Sequence, residues 1–136
     1  EEAEKEYKEA LGIRRELAAA NPSTYLPYVA MTLNNLGVLH RNNHRYEEAE
    51  KEYKEALGIY RELAAANPSA YLPYVATTLN NLGVLHCNNN RYEEAEKELN
   101  EALEIYKEFA KIAPAAFQPK VKKVQNSLDK LRNHKK

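Results

Sequence analysis

The sequence is poor in the residues that build covalently braced or many-stranded folds. A single cysteine, Cys87, excludes an internal disulfide. Nothing therefore points to an oxidising compartment, and a cytoplasmic location is expected. Four Gly, six Pro, two Phe and no Trp in 136 residues leave little material for the turns and facing sheets of an all-β domain. No apolar run approaches the roughly 20 residues that a membrane-spanning helix needs, so no membrane partner is expected. Net charge is absent as well, because 20 Lys plus Arg balance 20 Asp plus Glu. A balanced chain lacks the positive field that draws in phosphates, which argues against a generic nucleic-acid binder. The mean hydropathy of −0.75 is low for a compact globule of 15.6 kDa. The chain opens Glu1-Glu2-Ala3 in mid-pattern, which reads as a piece of something longer.

What the sequence does have is repetition. Residues 1–46 align with residues 47–92 without a gap and differ at five positions: Arg14/Tyr60, Thr24/Ala70, Met31/Thr77, Arg41/Cys87 and His44/Asn90. A decayed third copy of 44 residues runs from Glu93 to Lys136. A fixed period of this size signals stacked units, each unable to bury its own apolar face without a neighbour. Within a unit, Tyr46, Ala49, Tyr53, Ala56, Leu57, Tyr60, Leu63 and Ala64 are spaced by three and four, which predicts a helix over Arg45–Ala66. Asn67-Pro68 is expected to end it and to open a longer connection. A second helix is expected from Pro73, at its first position, to Asn88, with Val75, Leu79, Leu82 and His86 on one stripe. Asn88-Asn89-Asn90 then supplies the tight turn. Equivalent helices are expected at Pro27–Asn42, at Arg91–Ala113 and at about Gln118–Arg132, with another from Glu1 to about Ala20.

Asn35-Leu36-Gly37, His40, Tyr46, Ala49, Tyr53 and Ala56-Leu57 resemble the tetratricopeptide repeat signature. Asn81-Leu82-Gly83, His86, Tyr92, Ala95, Leu99 and Ala102-Leu103 repeat it. The family's ordinary period is about 34 residues. The longer unit here resembles the long-repeat type of the kinesin light chain, whose Thr-Leu-Asn-Asn-Leu stretch is similar to Thr78–Leu82. The resemblance implies an all-α, right-handed solenoid of about six helices in antiparallel pairs. Residues 1–21 would be the second helix of a truncated repeat, 22–67 and 68–113 two full repeats, and 114–136 a C-terminal capping helix. Gly37 and Gly83 sit inside helices, where Gly costs about 1 kcal/mol relative to Ala. Close approach of the partner helix, at Tyr46 and Ala49 or Tyr92 and Ala95, is the expected compensation. Asp129 stands where the third copy would have this Gly, in keeping with a cap whose outer face meets water.

Chemistry is sparse. His40 and His44 have the i, i+4 spacing of metal ligands, but no Glu or Asp is expected to complete a set, and His40 and His86 read as packing residues. Cys87 falls at a helix C-terminus, which disfavours a thiolate. Three Ser residues and no Gly-rich phosphate loop complete the inventory, so neither catalysis nor a cofactor is expected. Residues 117–136 carry seven bases and one acid, a net +6 that leaves −6 for the rest. This basic tail, ending in Lys135 and Lys136, reads as a solvated cap, with nucleic acid the weaker alternative because only Phe117 offers a stacking platform.

The resemblance also implies a concave face lined by first helices, where extended ligands lie. Carried over by position, that face would hold Asn34, Asn35, Val38 and Arg41, then Thr77, Asn80, Asn81, Val84 and Cys87, then Lys123 and Asn126. Recurring Asn amides suit a peptide backbone, which presents donors and acceptors at regular intervals. The two-carboxylate clamp of chaperone-binding members is incomplete, since only Asn81 and Lys123 match and Asn34, Val38 and Ser127 do not. The expected function is a non-catalytic protein-interaction scaffold. The alternative is a self-assembling repeat that forms a homo-oligomer through the uncovered face of the first helix, at Tyr7, Ala10 and Leu11.

Overall fold

The computed structural model describes residues 2–135, so Glu1 and the terminal Lys136 of the basic tail lie outside the described residues. Six helices follow one another: α1 (Glu2–Ala20), α2 (Pro22–Asn42), α3 (Tyr46–Ala66), α4 (Pro68–Asn88), α5 (Tyr92–Ile112) and α6 (Pro114–Lys135). Each packs against the next in sequence, and α2 also touches α4, as α4 touches α6. The even-numbered helices therefore form one row and the odd-numbered helices another.

Two kinds of joint alternate. Between α2 and α3, and between α4 and α5, three residues make the turn. His44 and Asn90 adopt left-handed backbone at φ 62°, and the amides of Arg45 and Arg91 then reach back to the carbonyls of His40 and His86 at 2.8 Å. This six-to-one bond satisfies a helix-end carbonyl that would otherwise lack a partner. The other joints are shorter than the sequence suggested. A single residue, Asn21, Asn67 or Ala113, separates the helices, and no longer connection exists.

The expected starts at Pro27, Pro73 and Gln118 are thus corrected to Pro22, Pro68 and Pro114, and Pro27, Pro73 and Pro119 lie inside helices. The physical reason is that Pro68 takes the first helical position, where no donor is needed. The amide of Tyr71 closes the first turn onto the carbonyl of Asn67 at 3.2 Å before Pro73 is reached. An internal proline costs about 3 kcal/mol. The added turn offsets that cost by packing Tyr25, Leu26, Tyr71 and Leu72 against the core, each apolar side chain being worth about 1.5–3 kcal/mol when fully buried.

The core runs the length of the stack as thin layers. Val75, Leu79, Leu82 and His86 are all buried, as their shared stripe required. The two signature glycines are contact points, but their partner lies one turn further along than expected. A Cβ on Gly37 would strike the ring of Tyr53, and one on Gly83 would stand 2.6 Å from Cγ of Leu99, with the carbonyl of Ala95, one of the expected partners, next at 3.4 Å. Gly12 and Gly58 meet nothing within 4 Å. Gly83→Ala should therefore lower stability by about 1–3 kcal/mol through overpacking, whereas Gly58→Ala should raise it by up to about 1 kcal/mol through helix propensity alone. Urea denaturation of the two variants checks this contrast.

Candidate functional site

The stripe proposed from the sequence is split by the structure between inward and outward positions. Asn34 on α2 donates its amide to Thr78 Oγ1 on α4 at 2.9 Å, tying two first helices together. The side-chain oxygens of Asn34 and Asn80 are buried without a hydrogen-bond partner among the described residues. Thr77 bonds the Pro73 carbonyl at 3.0 Å and the Tyr106 hydroxyl at 2.7 Å. Cys87 packs against the core, and burial pushes its thiol up, away from a reactive thiolate. Asn35, Lys123 and Asn126 are exposed, while Val38, Arg41, Asn81 and Val84 are half-buried. On α1, Tyr7 and Ala10 are half-buried and Leu11 packs against the core. The exposed apolar groups of that helix are instead Ile13 at 61% and Leu17 at 40%.

An aromatic strip extends the same row of first helices and was missed because its pairs join residues of two successive helices, which periodicity along one helix does not show. Tyr28, Tyr74 and Lys120 are equivalent under the 46-residue period, as are Arg14, Tyr60 and Tyr106. They meet in three successive pairs. The Arg14 guanidinium lies 5.6 Å from the Tyr28 ring centre, Tyr60 stacks on Tyr74 at 5.3 Å and 18°, and Lys120 Nζ lies 5.9 Å from the Tyr106 ring. The outer members of the aromatic pairs are accessible, with Tyr28 at 47% and Tyr74 at 51% exposed and Met31 beside them. These residues line a depression with Pro27 and Tyr71, continuous through Tyr28 with a second one at Ile13 and Leu17.

The third feature is electrostatic. His40 and His86 are at most 1% exposed, and each ring nitrogen meets a carboxylate. His40 Nδ1 lies 2.7 Å from Glu52 and Nε2 lies 2.9 Å from Glu4. His86 Nδ1 lies 2.6 Å from Glu98 and Nε2 lies 2.8 Å from Glu50. Each imidazole thereby links the second helix of one unit to both helices of the next. Arg45 and Arg91 close the networks, Arg45 bridging Glu4 and Glu48 and Arg91 bridging Glu50 and Glu94. In the third copy Arg132 replaces the histidine and faces Glu96 at 3.6 Å.

The expectation that no carboxylate joins these histidines is overturned. The spacing that matters is not i, i+4 on one helix but three helices meeting, and His44 instead turns to the Tyr46 hydroxyl at 3.0 Å. Glu4, His40 and Glu48, and likewise Glu50, His86 and Glu94, stand close enough to share a cation. The guanidinium of Arg45 or Arg91 already holds that place, so the charge is balanced from within the chain.

Both ring nitrogens can donate only in the imidazolium form. Burial opposes that charge, but the paired carboxylates outweigh it and raise both histidines above their ordinary value of 6.5. Hydrogen bonds from His40, Lys8 and Arg45 hold Glu4 down at about 2. Burial works against ionisation of Glu50, yet His86, Lys54 and Arg91 hold it at about 2 as well. Burial pushes Glu52 up. Stability from the histidines is therefore complete below pH 6.5 and is lost as pH rises through their raised values. Stability from Glu4 and Glu50 is present above 4.5 and is lost as pH falls toward 2. Glu52, with the opposite sign, tilts the maximum toward the lower end of that window. The thermal midpoint should fall by about 4 °C or more between about pH 6 and pH 9. The double variant His40→Gln, His86→Gln should have a lower midpoint at pH 6 and a flatter profile, which calorimetry across pH measures.

The fold and its repeated contacts define a helical-repeat protein whose units are joined by identical polar clusters. The family model for the tetratricopeptide repeat matches residues 28–108, and the chain belongs to that family. Repeats of this kind generally mediate protein–protein interaction and are typically non-catalytic. No curated protein sequence matches the chain. Among solved structures, it is similar to BtubC (BKLC) from P. vanneervenii, with a TM-score of 0.69 and 20% identity over 96% of this chain and 48% of that one. The likeness is one of fold, and the chain spans about half the length of that relative. No helix among the described residues is long and apolar enough to cross a membrane.

Proposed function

We propose that the chain is a non-catalytic scaffold that binds an extended peptide or partner segment along the outward stripe of its first helices. The observation that carries this reading is the recurrence, at a 46-residue period, of an accessible stripe that joins Tyr28, Met31, Asn35 and Val38 to Tyr74, Thr77, Asn81 and Val84. These positions advance by three and four, so each set occupies one face of its helix. Adjacent helices lie about 10 Å apart, which gives a linear ligand equivalent contacts on each. Asn35 is exposed and Asn81 half-buried, and among the described residues neither is tied to a neighbouring helix as the amide of Asn34 is.

Selection from a random linear peptide library on the intact chain tests the reading. Selected peptides should bind Asn35→Ala, Asn81→Ala at least about tenfold more weakly, a loss of about 1.4 kcal/mol, and should bind Lys51→Ala, on the opposite row, unchanged. Peptides that bind all variants equally would place the binding surface elsewhere.

A further inference from the structure

The aromatic strip carries a pattern more specific than an apolar groove. Its three layers read cation on tyrosine, tyrosine on tyrosine, and cation on tyrosine: Arg14 with Tyr28, Tyr60 with Tyr74, and Lys120 with Tyr106. The middle layer is purely aromatic, and a positive charge stands at each end. The ends arise from departures from the repeat, Arg14 for the tyrosine at 60 and Lys120 for the tyrosine at 74. Neither cation has a carboxylate partner among the described residues; Arg14 donates to the Thr32 hydroxyl at 2.5 Å, and Lys120 lies over the Tyr106 ring. No carboxylate lines either depression along the strip among the described residues.

We propose that this strip docks an extended proline-rich segment carrying an acidic residue at each end, about six residues apart. The proposal rests on the reading of this face as the partner-binding surface and names the class of partner. Its first support is dimensional. A polyproline II helix rises about 3.1 Å per residue and repeats every three residues, so one turn spans about 9.3 Å. Neighbouring first helices are about 10 Å apart, and successive turns of such a ligand meet Tyr28 and Tyr74 in the same orientation.

The second support is chemical. Proline rings pack flat on tyrosine faces, and a polyproline backbone needs no hydrogen bonds from its groove. That suits the depression at the strip, whose lining of Pro27, Tyr28, Met31, Tyr60, Ala70, Tyr71 and Tyr74 contains no side-chain amide. The third support is charge. From the first layer to the third is two repeats, about 20 Å, which six polyproline residues span. Carboxylates at those ends meet Arg14 and Lys120, and a ligand with basic ends is repelled.

The probe is a fluorescent peptide of five prolines bracketed by glutamates, compared by anisotropy with a Gly/Ser peptide of the same length and charge and with a lysine-bracketed proline peptide. The proline peptide with acidic ends should bind at least about tenfold more tightly than either. Tyr74→Ala should weaken it about tenfold, and Arg14→Gln, Lys120→Gln should abolish the salt dependence of binding. Circular dichroism confirms that each variant keeps its helices, and Lys120→Glu gives a second, surface-only test with the same expected loss. Equal binding of the proline and Gly/Ser peptides, or an undiminished affinity in Tyr74→Ala, would overturn the proposal. Library peptides that lack proline yet lose affinity in the Asn35, Asn81 variant would leave the scaffold reading standing and remove this one. Loss of stripe-dependent binding by every peptide would remove both.

Discussion

A buried imidazole held between two carboxylates is the contact on which the joints between repeats depend. His40 gathers Glu4 and Glu52, and His86 gathers Glu50 and Glu98, from helices on both sides of a unit boundary. Leaving any of these groups unpaired in the interior would cost several kcal/mol, and pairing them with full hydrogen bonding removes that penalty. Such a cluster contributes geometry more than raw stability. It accepts one register between units and penalises the others, because a slip of one residue leaves a charge buried without its partner. The guanidinium of Arg45 or Arg91 fixes the second carboxylate pair in turn.

This arrangement explains how so polar a chain folds. Mean hydropathy of −0.75 suits layers only two helices thick, in which each helix keeps one side in water and each unit borrows burial from its neighbours. The apolar part of the joint is made tight at the glycines, where Tyr53 and Leu99 lie against the helix backbone. The polar part is the histidine cluster one turn away. Where the third copy ends the stack, both change together: Asp129 replaces the glycine and Arg132 replaces the histidine, facing Glu96. The acidic body of −6 and basic end of +6 meet at this last joint, where Arg132 faces Glu96.

Much of the helical layout was legible in the sequence, because residues at three- and four-residue spacing define a buried face whatever their neighbours are. The helix starts were not, because a proline was read as a boundary at Pro27 and Pro73 when a second proline five residues earlier already occupied the first helical position. Tyr28 and Tyr74 lay inside the expected helices, but their partners Arg14 and Tyr60 sit on the preceding helices, a pairing that helical periodicity within one segment does not reveal. The histidine clusters were invisible for a different reason. Glu4 and His40 are 36 residues apart, and a glutamate-rich second helix looks like a solvated surface until its neighbour is placed. The repeat did not single these glutamates out either, since the whole stretch Glu-Glu-Ala-Glu-Lys-Glu stands unchanged at 1–6, 47–52 and 93–98.

The most direct test of this account is the titration of the two buried imidazoles by long-range proton–nitrogen NMR. His40 and His86 should both carry protons on Nδ1 and Nε2 at neutral pH and should titrate above the ordinary histidine value of about 6.5. A neutral ring with a single tautomer at pH 7, titrating at or below that value, would contradict the claim that paired carboxylates hold each joint together.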